Sequence, residues 1–490
     1  MAYRYPDRHQ HMLLPPSIED YISPDAPVRA YDAIVDALDL TELGLDLNPS
    51  KTGCPQYDPA TMLKVLLYGY SYGVRSSRKL ERELYYNLSF IWLAGGLKPD
   101  HKTIAEFRRR NRQSLAKTLK STARLCLRLG LIEGNTLFID GSKIRAHAGI
   151  SNGWNEKRCQ KNLASIDRRI EEILKECETA DMQETVDGSL VHLKEELADK
   201  TRLRSKVQAI LQTLQEDTGR HSFNTTDPDC VVVAGRQGTH AGYNGQIAVD
   251  EKHGLIVSAE AVNESTDMKQ LARQVQNANA TLDTPCQTVC ADSGYSNIQI
   301  MEDVAQTGIE LVIPTIRQVS NQAENAFDAI HFTYDPQRDC CTCPAGQTLT
   351  LYGNEPGKQR KVYKAKPSVC RGCVYWGRCT TAREGRKVSR LYREDFRQAA
   401  EAHYSSPEGQ RVYALRKQRV EHPFGHLKYN LGVSGFLLRG LAGVRAEFGL
   451  LTSCFNIARM ITLLGTRNLV KTLTAAIKPA LTVEWCGLAA

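Results

Sequence analysis

Thr136-Leu-Phe-Ile-Asp140 decides the fold class. It is a short apolar run ending in a carboxylate, and it follows a long stretch that reads as helical. That change of period marks a buried strand whose C-terminal end delivers Asp140. Gly242 to Asp250 and Leu255 to Val262 supply two more strands, joined by a turn around Lys252-His253-Gly254. A helix from about Asp267 to Ala278, the strand Thr288-Val-Cys-Ala-Asp292, a helix near Ile298 to Gln306 and the strand Glu310 to Pro314 follow. Three strands, helix, strand, helix, strand predict an α/β fold with a mixed sheet and helices on its faces.

Upstream, residues 1 to 130 read as helical. Met62 to Tyr72 is an apolar stretch stopped by Gly73, and Ser76 or Ser77 can cap a second helix to about Asn87. With Arg75, Arg78, Lys79 and Arg82 around its start, this pair resembles a helix-turn-helix, although many helical hairpins look the same. After Pro99, Thr103 and Glu106 fit a capping box, and the run Arg108-Arg109-Arg110 follows. From Thr61 to Gly130 fifteen Lys and Arg face four acids, a balance that suits a polyanionic partner better than the overall net charge of +8 suggests. The plainer alternative is a solvated helical face.

Two stretches fall outside the α/β pattern. Over residues 155 to 217 apolar positions including Leu163, Ile166, Ile170, Val207 and Ile210 recur at three-and-four spacing, which predicts an antiparallel helical hairpin turning near Asp187-Gly188. Its charges balance, so packing or dimerisation suits it better than general DNA affinity. Residues 325 to 390 hold six cysteines among many Gly, Pro and basic residues. Cys343, Cys370, Cys373 and Cys379 could give one structural Zn2+ four thiolates, with unligated thiols the alternative and Cys340 and Cys341 competing for the role.

The length exceeds what one hydrophobic core usually supports, and the 42% hydrophobic and 24% charged content describes a globular chain rather than a disordered one. Met1 to Leu14 has no apolar signal core, and Phe448 to Leu464, interrupted by Asn456 and Arg459, reads as a buried helix rather than a membrane span. A cytoplasmic location is the expectation. No Gly-rich P-loop is evident, so no nucleotide cofactor is expected.

Two aspartates at the ends of separate buried strands are costly unless a charge offsets them, and a divalent metal does so. Hard cations such as Mg2+ take oxygen ligands. In two-metal sites, with ions roughly 3.5 to 4 Å apart, one activates the attacking hydroxyl and the other stabilises the leaving oxygen. Taken singly, Asp140-Gly141 and Asp292-Ser-Gly294 are ordinary turn sequences. A third carboxylate raises their standing: between Tyr413 and Lys428, residues 413, 417, 421, 424 and 428 fall on one helical face, which sets Glu421 among cations. A surface salt-bridge ladder would give a similar stripe. Pro423 predicts that this helix kinks or restarts just past Glu421.

The segments Phe138-Ile-Asp-Gly-Ser-Lys-Ile-Arg-Ala146, Thr226-Asp-Pro-Asp229, Gly242-Tyr-Asn-Gly-Gln-Ile-Ala-Val-Asp250, Ala291-Asp-Ser-Gly-Tyr295 and Val420-Glu-His-Pro-Phe-Gly-His-Leu-Lys428 closely resemble bacterial insertion-sequence transposases of the DDE class. The match is to the subgroup marked by a Tyr-Arg-Glu-Lys helix, and residues 57 to 112 resemble the group's helical N-terminal domain. The resemblance implies a ribonuclease-H-like mixed-sheet core over 131–324 and 391–465, a helical N-terminal DNA-binding domain over 1–130, and a helical-hairpin insertion over 151–221. The Cys-rich insertion would be 325–390, and a C-terminal tail 466–490.

It further implies Asp140, Asp292 and Glu421 as the catalytic and metal-holding triad, with two Mg2+ or Mn2+ ions. Tyr413, Arg416 and Lys428 would lie beside DNA, together with the basic candidates Arg75, Arg78, Lys79, Arg108, Arg109 and Arg110. Four residues separate Arg416 from Glu421 where the signature more widely has three, and Lys417 stands at that spacing, so either cation fits. The implied activity is cleavage at the ends of an insertion sequence and strand transfer into double-stranded target DNA, by a homodimer on DNA. The rivals are a related nuclease without strand transfer and a non-catalytic DNA-binding protein on the same frame.

Overall fold

The computed structural model describes residues 17–48, 55–182, 187–216, 222–235, 238–319 and 325–484. They divide into a first unit of Met1–Asp267, Arg273–Cys286 and Lys417–Ala490 and a second of Met268–Ala272 and Gln287–Arg416. The basic segment is helical throughout, as α1 (Pro27–Asp36), α2 (Pro59–Ser71), α3 (Ser77–Tyr86), α4 (His101–Arg110) and α5 (Arg112–Arg128). Asp58 caps α2 through the amide of Thr61 (2.8 Å), and Gly73, at φ +71°, supplies the left-handed turn that precedes α3.

The cap of α4 differs from the sequence expectation. Asp100, three residues before Thr103, accepts the Thr103 amide at 2.7 Å, while Glu106 turns outward and pairs with Arg109 and Arg110. The Arg109 and Arg110 guanidiniums hold the Glu106 carboxyl down at about 2.

Two basic residues taken as DNA contacts are buried instead. Arg75 donates to the carbonyl of Gly435 and to Glu447 Oε1, both at 2.9 Å, and Arg108 donates to Tyr70 Oη (3.2 Å) and to the carbonyl of Arg75 (2.8 Å). A buried carboxylate needs a partner, and Glu447 has Arg75, whose carbonyl is in turn held by Arg108. Arg78 and Lys79 are exposed.

The strand that begins at Thr136 does not stop at Asp140. It runs on as β1 (Thr136–Arg145), so Asp140 sits in mid-strand and Gly141-Ser142 continues the ladder rather than turning. After the hairpin of α6 (Glu156–Met182) and α7 (Asp187–Glu216) come β2 (Val231–Gly235), β3 (Gly238–Asp250), β4 (Ile256–Val262) and α8 (Leu271–Leu282). β3 is the organising strand and pairs antiparallel with β1, β2 and β4. Leu137 lies opposite Asp250, Asp140 opposite Ile247 and Arg145 opposite Gly242.

The hairpin carries its own small core of Cys159, Ile166, Val207, Ile210 and Leu214, and the ion pairs Arg169–Glu196 and Arg204–Asp167 run across it antiparallel. Asp187 and Gly188 open α7 rather than forming the turn, and the linking residues 183–186 lie outside those described.

In the second unit β5 (Thr288–Cys290) and β6 (Glu310–Val312) pair in parallel around α9 (Ile298–Ala305). The Cys-rich stretch is a five-stranded antiparallel sheet, in the order β11-β10-β9-β8-β7. Its strands are β7 (Thr333–Asp335), β8 (Cys340–Thr342), β9 (Thr348–Glu355), β10 (Arg360–Ala365) and β11 (Lys387–Leu391). Phe332, Cys341, Leu349, Tyr363, Ala365 and Val388 form its core, which removes Cys341 from any ligand set.

Helices α10 (Glu394–Ser405) and α11 (Pro407–Gly425) come next in the chain, and α12 (Leu441–Leu464) and α13 (Thr466–Glu484) end the described residues in the first unit. α12 is long and apolar enough to cross a membrane by composition, yet it is mostly buried against α5, β4 and α2.

Removing Arg75 leaves Glu447 buried without its counter-ion. Arg75→Ala is therefore expected to lower the unfolding free energy by about 3–5 kcal/mol. The exposed Lys79→Ala should stay within about 0.5 kcal/mol of the parent. Urea denaturation followed by circular dichroism measures both.

Candidate active site

Alternation along β1 sorts its side chains. Asp140 and Ser142 share one face, and Gly141 and Lys143 share the other. A Cβ on Gly245, which pairs with Ser142, would lie 3.0 Å from the Phe448 ring of α12, so the Asp140 face is the one that α12 covers. Lys428 Nζ donates to Ser142 Oγ at 2.8 Å, which ties the end of the Glu421 segment to the strand two residues past Asp140.

That segment does not break at Pro423. α11 continues to Gly425 and then widens into a π-helical turn, His426–Asn430. Proline removes one amide donor and crowds the preceding turn, and a wider turn relieves the ladder without ending the helix. The exposed residues of the expected stripe are Lys417, Glu421 and Lys428, whereas Phe424 is buried. His422 and His426 both set their rings against Phe455 at 5.4 Å. Burial lowers both imidazoles below their ordinary range, helped by Arg459 at His422 and by His422 at His426.

In the second unit Asp292 follows β5. Its Oδ1 accepts the Gly294 amide at 2.9 Å, capping the turn Ser293–Tyr295, so the turn role read from Asp-Ser-Gly is present. Its Oδ2 faces Arg416 Nη2 at 3.3 Å. Of the two cations whose spacing left the choice open, Arg416 is the one on this carboxylate, while Lys417 is exposed. Tyr413 packs edge-on against Tyr404, with ring centroids 5.0 Å apart, and burial raises its hydroxyl pKa.

Other acids in the quoted motifs have structural work. Asp227 Oδ1 accepts from Tyr243 Oη (2.8 Å) and the Gly440 amide (3.1 Å), and Asp229 Oδ2 accepts the Leu441 amide (2.8 Å). Both stabilise the N-terminus of α12, where amides lack helical partners. Asp250 Oδ1 accepts the amides of Glu133 (3.3 Å) and Gly134 (2.8 Å), fixing the approach to β1. A polar cluster of Lys143, Asn244, Gln246 and Asp267 lies on the other face of β1. It was absent from the sequence reading, in which Asp267 only began a helix.

Cys343, Cys370, Cys373 and Cys379 line one cavity of about 30 Å3 with Phe327 and Trp376. The amides of Gln347 and Arg386 point at the sulfurs of Cys343 (3.3 Å) and Cys370 (3.4 Å). Among the described residues, however, no three His, Cys, Asp or Glu side chains form a group that could hold a metal ion, and this applies to the thiols and to the three carboxylates alike.

Residues 16–110 match the family described as Transposase domain (DUF772), and residues 342–461 match the family described as Transposase DDE domain. The second match contains Glu421 and Lys428. No curated protein matches the chain. Among solved structures it is similar to one described as the cryo-EM structure of piggyBac transposase synaptic complex with hairpin DNA. The identity is 11%, over 95% of this chain and 82% of that one, with a TM-score of 0.33. The two family matches, one in the helical segment and one reaching through α11, support a DDE-class insertion-sequence transposase.

The lowered imidazoles predict a pH dependence. The unfolded chain takes up protons at His422 and His426 near pH 6.5, before the folded chain does, so stability is full above that value and is lost as pH falls through the lower folded values. Unfolding midpoints in urea should drop between pH 7 and pH 5, and His426→Gln should flatten the slope.

Proposed function

We propose that this transposase cuts the ends of its element and joins them to target DNA, using Asp140, Asp292 and Glu421 as one carboxylate triad in a ribonuclease-H-like core. The observation that carries the reading is the Lys428–Ser142 bond, which within the first unit joins the segment that bears Glu421 to the strand that bears Asp140; within the second unit Arg416 pairs with Asp292.

By donor chemistry, though not as a group already assembled among the described residues, the set suits hard divalent cations: all three groups are carboxylates, Glu421 is exposed, and Asp292 is 41% exposed. Asp140, Asp292 and Glu421 would hold Mg2+ or Mn2+, which when bound supplies an activated hydroxyl and stabilises the leaving oxygen. Lys428 and the exposed Lys417 flank Glu421 and are suited to phosphate oxygens. Arg416 orients Asp292 rather than contacting DNA first. Arg78 and Lys79 on α3, with Arg109 and Arg110 on α4, remain the exposed cations for flanking duplex DNA. Action as a homodimer belongs to the same proposal, because two ends have to be joined together.

The test is to incubate the protein with its flanking genomic DNA and Mg2+, map the cut sites, and assay joining to a second DNA. Asp140→Asn, Asp292→Asn and Glu421→Gln are each expected to abolish cutting without a matching loss of DNA binding. Unchanged cutting in any one of them would remove that residue from the triad, and cutting without joining would identify a nuclease. Arg416→Ala should impair cutting more than Lys417→Ala.

Structural zinc on Cys343, Cys370, Cys373 and Cys379 is also proposed, on their shared cavity and the two amide-to-sulfur contacts; the thiols would have to turn toward one another to coordinate. Elemental analysis should then find zinc in purified protein and lose it in Cys373→Ser. Zinc-free protein with an unaltered unfolding profile would set this aside.

A further inference from the structure

Asp267 lies at the end of the loop after β4, and no part of the proposed triad uses it. Its Oδ1 accepts three hydrogen bonds: from Lys143 Nζ at 3.0 Å, Asn244 Nδ2 at 2.7 Å and Gln246 Nε2 at 2.7 Å. Lys143 also reaches Oδ2 at 3.2 Å. Asn244 and Gln246 are fully buried, so their bonds to the carboxylate are made without competition from water.

The register explains the position. Lys143 lies opposite Asn244 and Gly141 opposite Gln246, and opposed residues on paired strands project to the same face. The carboxylate therefore rests across the β1–β3 ladder, on the face away from Asp140. A Cβ at Gly141 would lie 2.7 Å from Asp267 Oδ1 and 2.3 Å from Gln246 Nε2. Glycine next to Asp140 is what lets the carboxylate sit against the strand. This is also why Asp-Gly reads as a turn in the sequence yet forms extended ladder in the fold.

We propose that Asp267 is a positioning residue for Asp140: it clamps β1 to β3 through Lys143, three residues beyond Asp140, packs over Gly141 beside it, and fixes the pleat that turns Asp140 toward the Glu421 segment. Lys143 supplies the counter-charge that keeps this second carboxylate engaged with the sheet. The role rests on the reading of Asp140 as a metal-holding residue. It differs from a fourth ligand in one respect: an asparagine at position 267 retains an oxygen able to accept from Asn244 and Gln246 while losing the negative charge that a metal ligand would need.

The test is Mn2+ binding to the full-length chain, followed by the electron paramagnetic resonance signal of free Mn2+, with thermal unfolding recorded on the same samples. Asp267→Ala is expected to weaken the Asp140-dependent binding about tenfold or more, the scale of loss seen when groups supporting a metal ligand are removed. Asp267→Asn, which keeps the bonds to Asn244 and Gln246, should lose clearly less than Asp267→Ala. Lys143→Met, which removes one donor and keeps the stem volume, should fall between them and serves if Asp267→Ala does not fold.

Asp267→Asn as weak as Asp267→Ala, at unchanged unfolding temperature, would overturn positioning in favour of a direct charge role. Parent-like Mn2+ binding in folded Asp267→Ala, or in folded Lys143→Met should Asp267→Ala not fold, would overturn it as well. Equal Mn2+ binding by the parent and Asp140→Asn is a separate outcome: it removes the triad reading itself, and the positioning role with it.

Discussion

Nine consecutive residue pairs, from Leu137 opposite Asp250 to Arg145 opposite Gly242, tie β1 to β3, and the first unit is arranged around that ladder. A one-residue slip would send every side chain of β1 to the wrong face, exchanging Asp140 and Ser142 with Gly141 and Lys143. The structure guards the register at both ends and in the middle. Asp250 holds the approach to β1 through the amides of Glu133 and Gly134. Asp267 spans the centre through Lys143, Asn244 and Gln246. Beyond the ladder, the Phe436 amide donates to the carbonyl of Arg145 at 2.8 Å.

The same unit shows how a basic segment can serve the interior as well as the surface. Arg75 and Arg108 come from the stretch whose charge suggested a polyanionic partner, yet both are spent on buried acceptors, Glu447 among them. Burial raises the Glu447 carboxyl pKa, against Arg75 and the amides of Leu437 and Leu438, which pull it down. Charge density along a sequence therefore overstates the cationic surface wherever an acid lies distant in sequence and close in space.

Much of the α/β order was legible because strands and helices differ in period, and Thr136, Gly242, Leu255, Thr288 and Glu310 each lie within or beside an observed strand. What escaped the sequence depended on long-range contacts. The length of β1 follows from its pairing with β3, residues 242–250, a partner some hundred positions along the chain. Pro423 was read by its local effect, whereas the π-helical turn after it absorbs the lost donor. The five-stranded Cys-rich sheet was hidden by short strands such as Cys340–Thr342, too brief to show alternation. Of the site, the three acids were legible as types and spacings. The preference of Asp292 for Arg416 over Lys417 needed coordinates.

The helical hairpin leaves and rejoins the first unit at a two-residue ladder, Gly153–Trp154 against Phe223–Asn224, reinforced by Asn152 Nδ2 on Thr226 Oγ1 at 2.8 Å. Its own core and ion pairs satisfy it internally. To the sheet, the arm is a closed loop of fixed footprint. Heptads added or lost along α6 and α7 together leave the entry and exit points unchanged, so the arm can lengthen or shorten over evolutionary time without moving Asp140.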